Sequence, residues 1–382
     1  MKHRIFYISS HNSIHNDRFI LKLRKDFRVH HFSMMRLQDK HKHKDVCYHE
    51  VPINYNKSDG GFLRLLKIPI AYLFGIIWLK ILILIYQPKI LFGGFVQTDG
   101  FISSLQSRKP FLLMPWGSDI LLYPNRMPGR IITKFVLDKS DYIFCDAHIV
   151  KNKIQALYRD KYKENSNLFV FPWGISVDKF KRPNNVTIEL PIKIISTRHF
   201  LPLYDIATSI KALQLVKQSI EERYPGQSIS DFIIADYIGN GDQLQEIKNM
   251  AKNYMLDEFV SFHGFVENEL LPNFLHNSDI YLSSSLSDGT SLSLLEALVS
   301  GLIPVVSDVG ANGEWVIHQK NGFLFPAKDS IKLANILLEI IDHPNKYLEF
   351  KKSNEMLGID KANWDYIYEN IIKQKLLQMI EK

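Results

Sequence analysis

The segment 287–308, SDGTSLSLLEALVSGLIPVVSD, combines residue types suited to a ligand that carries both phosphate and hydroxyl groups. Asp288 lies in a predicted turn beside Gly289, and Thr290 and Ser291 belong to the residue types that cap helix starts. The first N–H groups of a helix have no intrahelical acceptor, so a helix start flanked by glycine and hydroxyls favours an anion such as phosphate.

A second carboxylate, Glu296, lies in the apolar helix predicted to follow this turn. Burying it without partners would cost several kcal/mol, so it has either a ligand or an ion-pair partner across the core. Gly301 is predicted to end the helix, and residues 303–306 to form a buried strand. Carboxylates beside a phosphate site suit hydroxyl groups, and phosphate together with many hydroxyls describes a nucleotide sugar.

Composition indicates an ordinary globular protein with a basic balance. The 382 residues, 46% of them hydrophobic, predict about two to three domains. The two cysteines, Cys47 and Cys145, exclude a disulfide framework and suit a reducing cytoplasm. The net charge of +7 and the pI near 9.0 favour anionic partners such as nucleotides or phospholipid surfaces. Nucleic acid is disfavoured, since neither a zinc-type cysteine pattern nor an RNA-binding signature is evident.

Short apolar runs alternate with helical patterns in both halves of the chain, which predicts parallel sheets with crossover helices. We expect an α/β fold of two doubly wound, Rossmann-like domains facing a central cleft, where ligands of such sheets bind. The N-terminal domain is predicted over residues 1–176 and the C-terminal domain over 187–362, with a turn-rich linker at about 174–187. A last helix at about 363–382 is expected to pack back on the first domain.

The most apolar segment, residues 62–86, has three possible interpretations. It approaches the length of a membrane span, but Pro69 and Lys80 interrupt it. Spanning would also put the strands before and after it on opposite sides of the bilayer, so that they could not share a sheet. A buried crossover helix is preferred, and the third interpretation is a helix lying on an anionic membrane with Arg64, Lys67 and Lys80 at the headgroups.

A second cationic segment begins at Arg126 and alternates basic with apolar residues. It forms either another membrane-facing surface or a solvated cationic face. Its residues are Arg126, Met127, Arg130, Ile131, Ile132, Lys134 and Phe135.

The polar stretch 38–60 contains four potential metal ligands, His41, His43, Cys47 and His49. Metal ligands need supporting contacts, which this lysine-rich stretch does not suggest. We therefore predict a solvated loop there rather than a metal site.

Four segments, in order along the chain, resemble signatures of the family-four retaining glycosyltransferases with the GT-B architecture. They are FPWGISVDKF, STRHF, IGNGDQLQEI, and SDGTSLSLLEALVSGLIPVVSD followed by GANGEWVIHQKNGFLF. In the first domain the main local match is MPWGSDI, and the rest of the likeness is topological. The resemblance implies a group 1 glycosyltransferase that moves a sugar, with retention, from a nucleotide-diphosphate donor to a hydroxyl of a lipid-linked or polysaccharide acceptor in cell-surface glycan biosynthesis.

The resemblance also implies roles for individual residues. Glu296 would accept hydrogen bonds from the donor's ribose hydroxyls, Asp288 would contact hydroxyls of the transferred sugar, and Arg198 would neutralise the leaving diphosphate. Further donor-binding positions are Gly239, Gly241, Gly289, Thr290, Ser291, Leu292 and Ser293. The implied acceptor-side positions are Gly117, Ser118 and Asp119.

Three positions depart from the family pattern. Asp288 replaces the first of two glutamates separated by seven residues, for which we expect a changed sugar preference rather than lost activity. Leu203 stands where the family often has a lysine, so the diphosphate loses a cation unless Lys211 or another base replaces it. Trp116 stands where a histidine often precedes the Gly-x-Asp of the first domain.

We find no Asp-x-Asp metal signature and expect a reaction without metal or other cofactor. The expected partners are the nucleotide-sugar donor, the glycan or lipid-linked acceptor and an anionic membrane, which the protein would contact peripherally. No signal-type apolar core follows the opening MKHRIFYISSHNS, so we expect a cytoplasmic protein, at the inner face of the cell membrane.

Two alternatives remain open at this point. One is a nucleotide-sugar epimerase or a phosphorylase of the same fold, although neither an additional acid/base pair nor a cofactor lysine is identified for them. The other is a non-catalytic scaffold or regulatory subunit, which the changes at Leu203 and Trp116 would suit.

Overall fold

Two compact units make up the chain, Met1–Phe171 together with Tyr368–Lys382, and Pro172–Ile367. The computed structural model describes residues 2–10, 14–52, 61–106, 110–158, 167–183 and 187–381, and the side chains of these except residues 14, 15 and 61–66. The expected headgroup contact of Arg64, and parts of the predicted loop 38–60 and linker 174–187, lie outside this description.

The first unit is built on a parallel sheet of seven strands. They are β1 Arg4–Ile8, β2 Arg28–Ser33, β3 Cys47–Glu50, β4 Ile90–Gly93, β5 Phe111–Leu113, β6 Tyr142–Cys145 and β7 Leu168–Val170. The α-helices between them are α1 Ile14–Asp26, α2 Gly61–Tyr86, α3 Phe101–Ser104, α4 Ser118–Leu121, α5 Met127–Lys139 and α6 His148–Leu157. The strand order is β3-β2-β1-β4-β5-β6-β7.

This order places the crossover helices on two faces of the sheet. The connection from β1 to β2 runs in one direction along the sheet, and the connections from β3 onwards run in the other. Because such crossovers are right-handed, α1 covers one face while α2, α3, α5 and α6 cover the other. In agreement, α3 packs against both α2 and α5. The ring of Phe101 in α3 lies 6.0 Å from that of Phe135 in α5.

Helix α2 is a crossover between strands of one sheet. Ile5 of β1 pairs in parallel with Ile90 of β4, so the strands before and after α2 share that sheet and the helix is not a membrane span. By length and composition alone, its part Lys67–Tyr86 is apolar enough to cross a membrane.

The expected buried crossover helix is buried along one side only. Its inner face contains Ala71, Leu79 and Leu82, which are at most 3% exposed. The opposite face exposes seven large apolar side chains, Ile70, Leu73, Phe74, Ile77, Ile81, Leu84 and Ile85. These positions recur at helical spacing, so they form one continuous apolar stripe on the outside of the unit.

Strand β3 lies inside the stretch predicted to be a solvated loop, and that part of the prediction is wrong. The strand pairs only with β2, at the edge of the sheet, and its four residues CYHE are all half-buried. An edge strand with these side chains has no apolar run, so the pattern that reveals buried strands is missing. Among the residues that the structure describes, no group of three or more histidine, cysteine or acidic side chains is placed to hold a metal ion.

The second unit is built on a second parallel sheet. Its strands are β8 Ile192–Ser196, β9 Ile233–Ile238, β10 Val260–Gly264, β11 Ile280–Ser283, β12 Ile303–Ser307 and β13 Phe323–Phe325. Its α-helices are α7 Val177–Phe180, α8 Ile206–Arg223, α9 Leu244–Asn253, α10 Leu271–His276, α11 Leu292–Val299, α12 Asn312–Trp315, α13 Ser330–Asp342, α14 Leu348–Lys361 and α15 Trp364–Ile367. The strand order is β10-β9-β8-β11-β12-β13, so the expected pair of doubly wound parallel sheets is confirmed.

The sequence analysis did not predict α13 and α14. Helix α13 has a clear N-cap, Asp329, whose side chain accepts a hydrogen bond from the N–H of Lys332 at 2.8 Å. Helix α14 buries Lys351, Asn354 and Gly358, so its apolar periodicity is weak. The Lys351 ammonium is buried but paired, 2.6 Å from Asp279 Oδ1.

The end of the chain is not a single α-helix. Helix α15 is followed by a π-helical turn, Tyr368–Ile372, and then by α16 Lys373–Glu381. The hydroxyl of Tyr368 donates to Asp26 Oδ2 at 3.0 Å, and Lys373 Nζ lies 2.7 Å from Asp26 Oδ1. These contacts hold the terminal segment against the end of α1.

A stack of aromatic and imidazole rings lies in the first unit. His30 lies parallel to Phe6 and to His49, at centroid distances of 5.0 and 5.3 Å. His30 Nδ1 is hydrogen-bonded to His49 Nε2 at 3.0 Å. Burial, reinforced by His49 and nearby arginines, lowers the pKa of His30 to about 4. His30 is therefore neutral in the folded chain at neutral pH.

This lowered pKa predicts that the first unit loses stability as the pH falls from about 6.5 towards 4, because the unfolded chain then binds a proton that folded His30 does not. The variant His30→Phe keeps a ring in the stack but removes the titrating group. Between about pH 7 and 4.5 the unfolding free energy should fall in both proteins, and the fall should be about 2 kcal/mol smaller in His30→Phe than in the wild type. Hydrogen exchange of the β1 and β2 amides measures this quantity for the first unit.

The control is His3→Gln, at an exposed position, which should behave as the wild type does. Equal losses on acidification in the wild type and His30→Phe would show that His30 does not cause the pH dependence.

Candidate functional site

The candidate site of the second unit lies at the carboxyl ends of β8 and β11. The strand order reverses between these two neighbours, because β9 and β10 lie on one side of them and β12 and β13 on the other. The loops that leave two such strands diverge, and this is where doubly wound sheets bind ligands. Arg198 follows β8 by two residues, and Ser285 and Asp288 follow β11.

The guanidinium of Arg198 is the centre of this site. Its Nη1 donates to Ser291 Oγ at 2.6 Å and to Ser293 Oγ at 2.9 Å. Its Nη2 donates to Ser285 Oγ at 3.2 Å and to Asp288 Oδ2 at 2.5 Å. Arg198 is only 8% exposed. Burial lowers the pKa of the guanidinium, but Asp288 together with Tyr281 and Tyr204 raises it on balance, so a permanent positive charge is held inside the protein.

Two tyrosines that the sequence analysis missed complete the surroundings of Arg198. Its Cζ lies 4.2 Å from the centre of the Tyr204 ring, which is a cation–π contact. Tyr281 Oη is 2.8 Å from Ser293 Oγ, and burial raises the pKa of this phenol. Tyr281 lies within a strand and resembles an ordinary core aromatic, so nothing in the sequence marked it. Tyr204 was overlooked because, at the neighbouring Leu203, the sequence analysis considered only the loss of a lysine.

Lys211 does not replace the missing lysine in this structure. It is exposed on α8, and within the described part of the chain it has no hydrogen bond or ion pair. Leu203 is half-buried, and its carbonyl accepts a hydrogen bond from the N–H of Leu286 at 2.8 Å. Position 203 therefore joins the loop after β8 to the loop after β11 through its backbone.

Asp288 is held through its backbone as well as through Arg198. Its carbonyl accepts a hydrogen bond from the N–H of Ala311 at 3.1 Å. Gly310 has φ +55°, and a Cβ there would lie 1.8 Å from the Asp288 carbonyl oxygen, so only glycine fits. Among the described residues no donor is bonded to Asp288 Oδ1, which leaves one carboxylate oxygen for a ligand hydroxyl.

Helix α11 begins directly beside the Arg198 guanidinium. Ser291 is its N-cap, and the Ser291 hydroxyl accepts a hydrogen bond from the N–H of Leu294 at 3.4 Å. The N–H groups of Leu292 and Ser293 have no acceptor within the helix. A helix start and a fixed cation at one place suit a diphosphate. Thr290 is 7% exposed, and Gly289 is half-buried.

Glu296 lies on the one partly exposed stripe of α11. Leu292, Ser293 and Glu296 are half-buried, and the other five residues of the helix are buried. Residues three and four apart share a helix face, so the Glu296 carboxylate lies one turn beyond the helix start. This placement suits a group that reaches hydroxyls next to a bound phosphate.

The turn containing Gly239 and Gly241 packs on the backbone that follows β8. Gly239 has φ +144°, and a Cβ there would lie 2.7 Å from the Arg198 carbonyl oxygen. A Cβ on Gly241 would lie 2.2 Å from the Phe200 carbonyl oxygen. The glycines therefore allow two backbones to approach closely, and they fix the position from which the Arg198 side chain extends. Their direct contact with a donor stays a prediction.

In the first unit, the implied acceptor-side residues lie in the loop after β5. Gly117 has φ 98° and starts α4, and Ser118 is half-buried. Asp119 is fully buried and accepts hydrogen bonds from the N–H groups of Val96, at 3.0 Å, and Trp116, at 2.9 Å. Burial raises the pKa of Asp119 to about 6, although these N–H groups counteract it. This side chain ties two loops together, which favours a positioning role for Asp119 rather than contact with an acceptor.

Two family models match the chain. The model of Glycosyl transferases group 1 matches residues 177–356, and the model described as Glycosyl transferase 4-like matches residues 4–147. The first match includes Arg198, Asp288 and Glu296.

Similar proteins include two bacterial proteins, one of which is named as a galactosyltransferase. Protein CapJ of Staphylococcus aureus is 24% identical over 78% of this chain and 66% of its own length. The UDP-Gal:alpha-D-GlcNAc-diphosphoundecaprenol alpha-1,3-galactosyltransferase of Escherichia coli is 26% identical over 53% of this chain and 50% of its own length. The chain thus spans less than two thirds of the length of these relatives.

Solved structures share the fold over the whole chain. The sucrose-phosphate synthase of Thermosynechococcus elongatus superposes with a TM-score of 0.75 at 15% identity, covering 100% of both chains. The HepE protein of Anabaena, in complex with UDP, superposes with a TM-score of 0.74 at 15% identity, covering 99% of this chain and 100% of that one. The expected GT-B α/β fold is confirmed, and the chain belongs to the group 1 glycosyltransferases.

Proposed function

We propose that this glycosyltransferase moves a sugar from a nucleotide-diphosphate donor to a hydroxyl group of a lipid-linked or polysaccharide acceptor, with retention at the anomeric carbon. The observation that supports this most directly is the buried Arg198 guanidinium, which is hydrogen-bonded to Asp288 and to the serines at the start of α11. The galactosyltransferase relative supports a setting in glycan synthesis.

The donor would lie along α11 with its diphosphate at the helix start. Arg198 and the N–H groups of Leu292 and Ser293 then face the phosphate oxygens, where charge grows as the sugar leaves. Glu296, one turn further along, accepts hydrogen bonds from the ribose hydroxyls. Asp288 keeps Oδ2 on Arg198 and offers Oδ1 to a hydroxyl of the transferred sugar. The complex of HepE with UDP supports a uridine donor as the first candidate.

Retention follows if the acceptor attacks on the face that the diphosphate leaves. The bond between the anomeric carbon and the diphosphate oxygen breaks, and the bond to the acceptor oxygen forms on the same side. The acceptor proton passes to the leaving phosphate oxygen, so no separate carboxylate base is needed. Arg198 stabilises the charge on that oxygen while the sugar has oxocarbenium character.

The acceptor would contact the first unit near Gly117 and Ser118, with Asp119 holding their loop. A lipid-linked acceptor fits the exposed apolar stripe of α2, through which we propose peripheral contact with an anionic membrane at the cytoplasmic face. The galactosyltransferase relative, whose name gives a diphosphoundecaprenol acceptor, supports this choice. The alternatives, a same-fold epimerase or a non-catalytic scaffold, are not favoured by the family match.

A panel of nucleotides tests the donor site. UDP should raise the thermal stability of the chain through binding to the folded state, and Glu296→Gln should weaken UDP binding by about 10- to 100-fold, because hydrogen bonds from hydroxyls to a charged group contribute about 1.5–3 kcal/mol. The matched control is Glu246→Gln, an exposed position on α9. Unchanged UDP affinity in Glu296→Gln would remove Glu296 from the donor site. If another nucleoside diphosphate binds instead, the same comparison applies to it.

Arg198→Lys tests the leaving-group role. A single ammonium cannot reproduce the fork of hydrogen bonds that Arg198 makes, so we expect kcat to fall by about 100- to 1,000-fold with a smaller change in donor KM. Arg223→Lys on α8, where the arginine pairs with Asp342 on the surface, is the control for the same substitution. A normal kcat in folded Arg198→Lys would exclude this role.

The reaction should need no metal and should retain configuration. In excess EDTA the initial rate should stay the same, and the anomeric proton coupling of the product, measured by NMR, should match that of the donor. Complete loss of activity with chelator would contradict metal independence, whereas an inverted product would contradict the same-face mechanism.

A further inference from the structure

A cavity of about 380 Å³ opens in the first unit at the start of α5. Three cationic side chains line it, Arg126 and Arg130 from the α5 segment and Lys153 from α6. Met127 and Leu157 add an apolar edge, and none of the described lining residues is acidic. Like charges that converge on one cavity repel each other, so an anion that enters it is attracted to all three.

In the part of the chain that the structure describes, no carboxylate pairs with the cations of this cavity. Within the described ranges, neither Arg126 nor Arg130 has a carboxylate partner. Lys153 Nζ donates to the neutral Asn125 Oδ1 at 3.1 Å, and Asn125 Nδ2 donates to the carbonyl of Leu121 at 3.1 Å. Lys153 is therefore held at the cavity wall by a neutral partner. Two guanidiniums and an ammonium at one place suit the oxygens of a phosphate group.

The surface around the cavity is apolar as well as cationic. Met127, Ile131 and Phe135 on α5 are 67%, 61% and 36% exposed. Their spacing of four residues places them on one side of the helix. The exposed stripe of α2 lies on the same side of the sheet, because α3 packs against both helices. A soluble phosphate compound would contact only the cationic cavity. A phospholipid matches both the cavity, through its headgroup, and the apolar side chains, through its acyl chains.

The charge distribution favours an anionic surface in particular. Between residue 61 and the end of α5 at residue 139, the acidic residues are Asp99 and Asp119, both fully buried, and Asp138, which pairs with Lys139. The same segment contains ten basic residues, Arg64, Lys67, Lys80, Lys89, Arg108, Lys109, Arg126, Arg130, Lys134 and Lys139. The two outer helices of this face thus expose cations and apolar side chains with few compensating negative charges.

We propose that the cavity formed by Arg126, Arg130 and Lys153 binds the phosphate of an anionic phospholipid headgroup, with Met127, Ile131 and Phe135 inserted at the acyl boundary. This inference rests on the membrane contact in the proposed function and adds a specific contact with a lipid headgroup. The site also sets how the first unit is oriented on the bilayer, since the stripe of α2 and the cavity beside α5 engage the same surface.

Vesicle binding tests this site. The full chain should sediment with vesicles of phosphatidylcholine and phosphatidylglycerol, more weakly at high salt, and much less with phosphatidylcholine alone. The triple variant R126Q/R130Q/K153Q should bind the anionic vesicles about 100-fold more weakly, since each basic residue near such a surface contributes about 1 kcal/mol. The matched control K25Q/R28Q/K40Q removes the same charge from exposed positions outside the face of α2 and α5, and should keep most of the binding.

Three results would overturn the proposal. Equal losses in both triple variants would show that net charge alone drives binding. A wild-type chain that does not bind anionic vesicles would exclude the site, and so would one that binds inorganic phosphate in the cavity but not the vesicles. Melting curves show whether each variant is folded.

The same samples separate this proposal from the proposed reaction. UDP-induced stabilisation should persist in R126Q/R130Q/K153Q, because the donor site is in the second unit. If the wild type binds anionic vesicles through the cavity but neither binds nor turns over any nucleotide sugar, the lipid site stands and the proposed reaction fails.

Discussion

The candidate site of the second unit is built around one buried cation, the Arg198 guanidinium. Arg198 is 8% exposed, and leaving such a cation without partners would be costly. Asp288 and three serine hydroxyls satisfy its Nη atoms, and Tyr204 covers its face. The serine hydroxyls stabilise the cation without adding negative charge, so among the described hydrogen-bond partners only Asp288 opposes the attraction of Arg198 for an incoming anion.

Backbone contacts and the strand order of the sheet hold Arg198 in its position. Gly239 and Gly241 let a turn pack closely on the backbone of residues 198–200, and Gly310 lets another strand end press on the carbonyl of Asp288. The sheet reverses its strand order at this place, so the loops diverge around the guanidinium instead of covering it. Glycine contacts and strand order together give a preorganised site, in which little reorganisation is needed when a charge develops.

Much of this arrangement could be predicted from local sequence patterns. Strand β12, Ile303–Ser307, lies at the predicted residues 303–306, because its apolar run is short and bounded by turns. The N-cap at Ser291 and the partly exposed Glu296 also follow from helix periodicity. Other features depend on partners distant in the chain. Asp119 looks like a ligand-facing carboxylate in MPWGSDI but is bonded to the N–H of Val96, and Tyr281 looks like a core residue but touches the site. Strand β3 and the outer side of α2 could not be predicted for the same reason. Which of their faces is buried depends on elements that are distant in the sequence.

The two sheets differ in what occupies the place where their strand order reverses. In the first sheet, the reversal between β1 and β4 is closed by the protein itself, since Ser10 donates to a fully buried Asp99 through its hydroxyl at 2.5 Å and its N–H at 3.2 Å. Changes in the loop after β1 are therefore constrained, because losing Ser10 would take two hydrogen bonds from a buried carboxylate. Under the proposed function, acceptor preference would change through other loops of the first unit, without disturbing Arg198 and the start of α11 in the second.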